Sequence, residues 1–147
     1  MGRSIAAVIV GYLAMFILQF IVFMTVYTAV GPDWSFKPGN YHASTRWLIM
    51  MWTVDFVTAA IAGLICALIS KSRRAVLALA VVTIVIGLTL GALHVATQPP
   101  DTGEVRPANV PNMVAMTKAR HPVWVIFLGP FIAAAGVVVG GTLKRQN

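Results

Sequence analysis

The stretch WLIMMWTVDFVTAAIAGLICALI, residues Trp47 to Ile69, is apolar almost throughout and holds one charged side chain, Asp55. At ~1.5 Å of rise per residue, a helix of this length crosses a hydrocarbon core of ~30 Å. On insertion scales a central Asp costs ~2.5–3.5 kcal/mol, while each Leu, Ile, Val or Phe returns ~0.3–0.6 kcal/mol. The ten such residues in this stretch roughly offset the acid. A membrane-spanning helix is therefore affordable here, and the acid needs a reason to be there.

Three more windows have the same character: Ile5–Val30, Ala75–Val95 and Val123–Leu143. Hydrophobic residues make up 59% of the 147-residue chain and charged residues 10%, where a soluble domain carries about 25% charged. The segments between the windows are short. The expectation is an all-α membrane protein: a four-helix transmembrane bundle that occupies residues 1–147 as one domain.

The net charge of +7 does not point to nucleic acid, because the basic residues sit where topology signals sit. Arg3, Lys71, Arg73, Arg74, Lys144 and Arg145 fall in the tails and the tight turn on one side. Lys37, Arg46, Arg106, Lys118 and Arg120 are diluted over the two longer loops on the other. The bias puts both termini in the cytoplasm and makes anionic lipid headgroups at that face a partner. The first window is longer than the ~7–15 residues of a signal-peptide core and has no A-x-A site, so it reads as an uncleaved anchor. Cys66, the only cysteine, excludes disulfides and CxxC centres within one chain.

Gly31-Pro32 should stop the first helix. The aromatics Trp34, Phe36, Tyr41, Trp47 and Trp52 suit an interfacial belt. The link Ser70-Lys71-Ser72-Arg73-Arg74 is so short that spans two and three should be antiparallel neighbours. In the second long loop, residues 111–120 combine a leading proline with trailing basic residues, as a short interfacial helix would. Met113 and Met116 would then face lipid or the bundle mouth.

Small residues four apart let membrane helices approach closely. Span two has Ala59, Gly63 and Ala67, span three Gly87 and Gly91, and span four Gly136 and Gly140, with Gly129 and Ala133 nearly on the same face. These stripes orient the polar residues. Asp55 precedes Ala59 by one turn and so faces the bundle, while His94 and Thr83 share the Gly87–Gly91 face. Gln19 lies at about the depth of Asp55, whereas Thr89 points away. Pro130 cannot donate to the carbonyl of Ile126. The candidate polar cluster is Asp55 and Gln19 in one layer, the Ile126 carbonyl nearby, and His94 further outward.

Two readings of Asp55 compete. It is hydrogen-bonded glue between spans one and two, or a coupling site for a proton or cation, as intramembrane acids often are. No metal motif is present: His42, His94 and His121 lack ligand spacing, with His42 and His121 reading as loop residues and His94 as an interface residue. No serine sits in a nucleophile elbow, no glycine loop cradles phosphate, and no cofactor is implied.

The opening Ile5-Ala6-Ala7-Val8-Ile9-Val10-Gly11-Tyr12, the loop Phe36-Lys37-Pro38-Gly39 and the following Ser44-Thr45-Arg46-Trp47 resemble the small, uncharacterised four-span proteins of bacterial genomes. That resemblance implies an integral inner-membrane protein and no particular activity. Small multidrug-resistance transporters match in span number but carry their acid in the first span, where this chain has Gln19. The Glu/Arg/Asn constellation of membrane-associated glutathione-transferase relatives is missing. The expected role is structural or accessory, with a homo-oligomer or another membrane protein as partner. The alternatives are a small proton- or cation-coupled transporter or channel using Asp55, and an enzyme acting on lipid or quinone.

Overall fold

A computed structural model of the chain describes residues 2–98 and 103–143. Lys144, Arg145 and the Pro99-Pro100-Asp101 stretch lie outside them. The described residues form five helices: α1 (Gly2–Ser35), α2 (Thr45–Ser70), α3 (Arg73–Thr97), α4 (Asn112–Thr117) and α5 (Val123–Leu143). There is no strand among them, only two isolated bridges, Phe36 with Ala43 inside the first loop and His42 with Arg120 between loops. α1, α2, α3 and α5 are each long and apolar enough to cross a membrane. Only 17% (α1) to 33% (α2 and α5) of their most apolar windows is buried within the chain. Ile5, Ile9, Phe16, Phe20, Val81 and Leu90 point outward, the inside-out distribution that a lipid solvent permits.

The helix ends follow local chemistry. At Gly31 the backbone takes φ 71°, ψ −179°, a left-handed φ that glycine adopts without a Cβ penalty. Pro32 then restarts a single turn, and the Phe36 amide donates to the Pro32 carbonyl. α2 begins at Ser44, whose hydroxyl accepts from the Trp47 amide at 3.2 Å, an N-cap. It ends at Lys71, which is left-handed (φ 53°), with its amide donating to the Ala67 carbonyl. Arg3 Nε donates to the Ile69 carbonyl at 2.6 Å, so a cation from α1 satisfies one of the orphan carbonyls that end α2.

α5 packs most extensively on α2, α1 lies on α2, α3 lies on α5, and α1 and α5 make no close approach. α2 and α3 do touch as neighbours, as their short link requires, though each packs more extensively on α5. The short Lys71-Ser72 link joins them at one end, but α5 sits against both. The glycine stripes explain why it can. A Cβ at Gly63 would collide with the Val137 carbonyl, one at Gly136 with the Phe56 carbonyl, and one at Gly140 with the Ala60 carbonyl. The α3 stripe serves a different purpose. Gly87 accepts the Pro130 ring, whose Cγ lies 2.6 Å from where a Cβ would stand, and Gly91 accepts Ile126.

Two cores result. At the end holding the α2–α3 link (the link end), Ala7, Ala62, Cys66, Leu79, Ala134 and Val137 form a tight cluster. At the opposite, loop end, Tyr27, Phe36, Tyr41, Ala43, Trp47, Leu48, Ala115 and Val125 form a second. The expected aromatic belt is thus corrected in part. Phe36, Tyr41 and Trp47 are buried and meet edge-on, Tyr27 against Trp47 at 5.7 Å between centroids. They are the core of a cap. The loops zip together above it: Ala43 N donates to Arg120 O and Arg120 N to Tyr41 O, both at 2.9 Å, and Arg106 N donates to Gly39 O at 3.0 Å. α4 is shorter than residues 111–120. Its Ala115 is fully buried while Met113 and Met116 face outward, and the Tyr27 hydroxyl donates to Asn112 O at 2.8 Å.

Candidate functional site

One cleft collects most of the polar residues of the spans. Its volume is ≈ 450 Å³, and its walls come from α1 (Tyr12, Phe16, Gln19), α2 (Trp52, Asp55), α3 (Thr83, Gly87, Leu90, His94), α5 (Ile126, Gly129, Pro130) and His121. It forms because α1 and α3 meet at the link end, where a Cβ on Gly11 would lie 2.9 Å from Leu79 Cδ2. Nearer the loop end they leave a gap with α2 and α5 as its floor.

Gln19 Nε2 donates to Asp55 Oδ1 at 2.7 Å. Asp55 Oδ2 points toward Gly129, 3.8 Å from where a Cβ there would be, and has no partner among the described residues. Thr83 is buried, but its hydroxyl is spent on the Leu79 carbonyl at 2.9 Å, the helix-internal bond usual for threonine. Thr89 does the same with Val85 and stays outside the cleft. Pro130 and Ile126 both line the site, and the Ile126 carbonyl, which loses its helical donor, lies 3.8 Å from where a Cβ on Gly91 would stand.

Two histidine readings change. His94 is exposed rather than sealed in an interface, and its ring lies 2.9 Å from the Gln98 amide. His121 is not a plain loop residue. The Ala43–Arg120 pairing draws its segment across the bundle mouth, where it lines the cleft. Burial holds its pKa below the ordinary 6.5, and the nearby His94 adds to the effect.

The sequence also left Trp52 out of the cluster, although it precedes Asp55 by three residues and so shares its helix face. Its indole N–H is buried without a partner, and its ring lies 5.7 Å from that of Trp124. Ala59 and Ala67 are buried on the α2–α5 side and serve packing rather than the cleft, as do Gly63, Gly136 and Gly140. Among the described residues, no three His, Cys, Asp or Glu side chains gather as a metal-holding group.

The cleft can accept a proton or a hydrogen bond at Asp55. It reaches the loop-end surface at His94 and His121, and it stops at the alanine–glycine core below Thr83. No family model, curated protein or solved structure matches the chain.

Proposed function

We propose that the chain is a multi-pass protein of the bacterial inner membrane, with both termini cytoplasmic, that acts as a non-enzymatic accessory or interaction component. One observation carries the choice over a channel. The core of the link-end half is closed by contacts between helix backbones and small side chains, with Ala7, Cys66, Leu79 and Val137 all fully buried. The ≈ 530 Å³ cleft beside Lys71, Arg73 and Thr142 shares no lining residue with the Asp55 cleft, so one copy encloses no path from face to face. Asp55 fits the same picture, since its Oδ1 is held by Gln19 as interhelical glue. The orientation is supported by Arg3, Lys71, Arg73 and Arg74 at the link end, in short segments of the kind that stay inside. There they would also meet anionic headgroups. The exposed apolar flanks leave room for a second copy or another membrane protein.

A second reading, a proton- or cation-coupled transporter, rests on the convergence of Asp55, Gln19, His94 and His121 on one cleft. Reconstituted liposomes carrying a pH gradient and a trapped pH dye separate the two. The accessory reading expects proton flux no faster than in protein-free liposomes, for wild type and Asp55→Asn alike. Flux that wild type supports and Asp55→Asn abolishes establishes the transporter instead. A reporter fused after Asn147 that proves active outside the cytoplasm overturns the orientation.

A further inference from the structure

The cleft is open sideways. Phe16 on α1 and Leu90 on α3 both line it, yet they are 59% and 57% exposed, so its flanks face whatever surrounds the bundle. In a bilayer that is hydrocarbon. Beside the loop-end mouth at His94 and His121, this flank lets a molecule that dissolves in the membrane reach the polar base.

We infer that this cleft binds a lipid-soluble amine, carried as its ammonium, with the apolar body between α1 and α3 and the nitrogen at Asp55 Oδ2. The carboxylate oxygen lacks a partner among the described residues and faces Gly129, where the missing side chain leaves room beside it. No lysine or arginine lines the cleft, so nothing in the wall neutralises an acid that a low-dielectric setting makes costly. Tyr12, Phe16 and Trp52 supply aromatic surface, which attracts cations through its ring faces.

The size agrees. A volume of ≈ 450 Å³ falls within the ~300–1,000 Å³ typical of small-ligand sites. The same volume holds only roughly four residues of a helix ~10 Å across, too little for a spanning helix of a second copy. A lipid tail would fill the space but leave the carboxylate unmatched. The inference rests on the cleft alone and holds whether or not anything crosses the membrane, because binding and flux are read separately.

The test uses the purified full chain in phosphatidylcholine nanodiscs, titrated with bromoundecylamine or with the uncharged bromoundecanol. The bromine quenches tryptophan fluorescence on contact, and Trp52 lines the cleft. The expected result is saturable quenching, with the amine binding about ten- to a hundred-fold more tightly than the alcohol, the gain usual for a hydrogen bond to a desolvated charge. Trp52→Phe should remove the saturable component, and Asp55→Asn should bring the amine down to the alcohol. Equal affinities in wild type overturn the proposal, as does an amine preference that survives Asp55→Asn. So does a dimer by light scattering that shows no saturable quenching, because a second copy then covers the cleft. Should Asp55→Asn fail to fold by circular dichroism, the wild-type amine-to-alcohol ratio and Trp52→Phe decide by themselves.

Discussion

At the link end, α5 meets α2 through bare backbone, glycine against carbonyl, whereas at the loop end the same helices meet through the rings of Trp52 and Trp124, under two interlocked loops. In lipid, helices gain nothing from burying apolar surface that lipid would cover equally well, so association depends on close contact. The alanine–glycine half has that contact at Gly63, Gly136 and Gly140 and a cleft of ≈ 530 Å³ only at its margin, beside Lys71, Arg73 and Thr142. The aromatic half has a ≈ 450 Å³ gap around Asp55. Close backbone contact is concentrated in one half and the polar residues of the spans in the other. Asp55 sits where the one gives way to the other.

The largest effect should come from the tight half. Gly140→Val forces two methyl groups into the Ala60 carbonyl, and overpacking of this kind costs about 1–3 kcal/mol, more where backbone is struck. Thermal melting followed by size-exclusion chromatography should show a large loss of folded monomer. An unchanged melt would mean that α2 and α5 are not in contact there. At the other end the tolerance should be greater. Tyr27→Phe removes the hydroxyl that ties α1 to α4 through Asn112 and should cost about 0.5–1.5 kcal/mol. Protease digestion should then cut near residues 112–117 before the helices melt. If the two substitutions cost the same, the contrast between the halves is lost.

The smallest effect is one of pH. Burial and His94 lower the pKa of His121 in the folded chain, so the unfolded chain takes up this proton first. The neutral form is the one that fits the fold. Stability should therefore fall as pH drops through the ordinary 6.5, and His121→Gln should flatten that slope in melts between pH 8 and 5.5. A slope that persists in His121→Gln assigns it to another group.

The division between the halves also marks what could be read in advance. Four apolar windows identify four helices because almost nothing else explains such runs, and Val123–Leu143 matches its helix end to end. α1 runs past Val30 only because Pro32 begins a new turn after the kink at Gly31. Helical depth was enough to put Asp55 and Gln19 in one layer, since both lie on rigid rods with a fixed rise. His121 offered no such ruler, because its position depends on a backbone pairing between two loops. The aromatic loop was ambiguous for another reason: rings that pack on one another have the same composition as rings that face headgroups. The glycine stripes announced close approach but not the partner, and Gly87 turned out to receive a proline ring.

Cys66 offers the most direct test of the closed half. It is the only cysteine in the chain, it is fully buried among Ala62, Leu79 and Val137, and a route through the bundle would have to pass beside it. Intact-protein mass spectrometry after exposure of membranes to N-ethylmaleimide reads its access to water. The account predicts no modification of the native protein over a time in which the unfolded protein is fully labelled. Rapid labelling of the native protein would place water in the link-end half and contradict the claim that a single copy is closed.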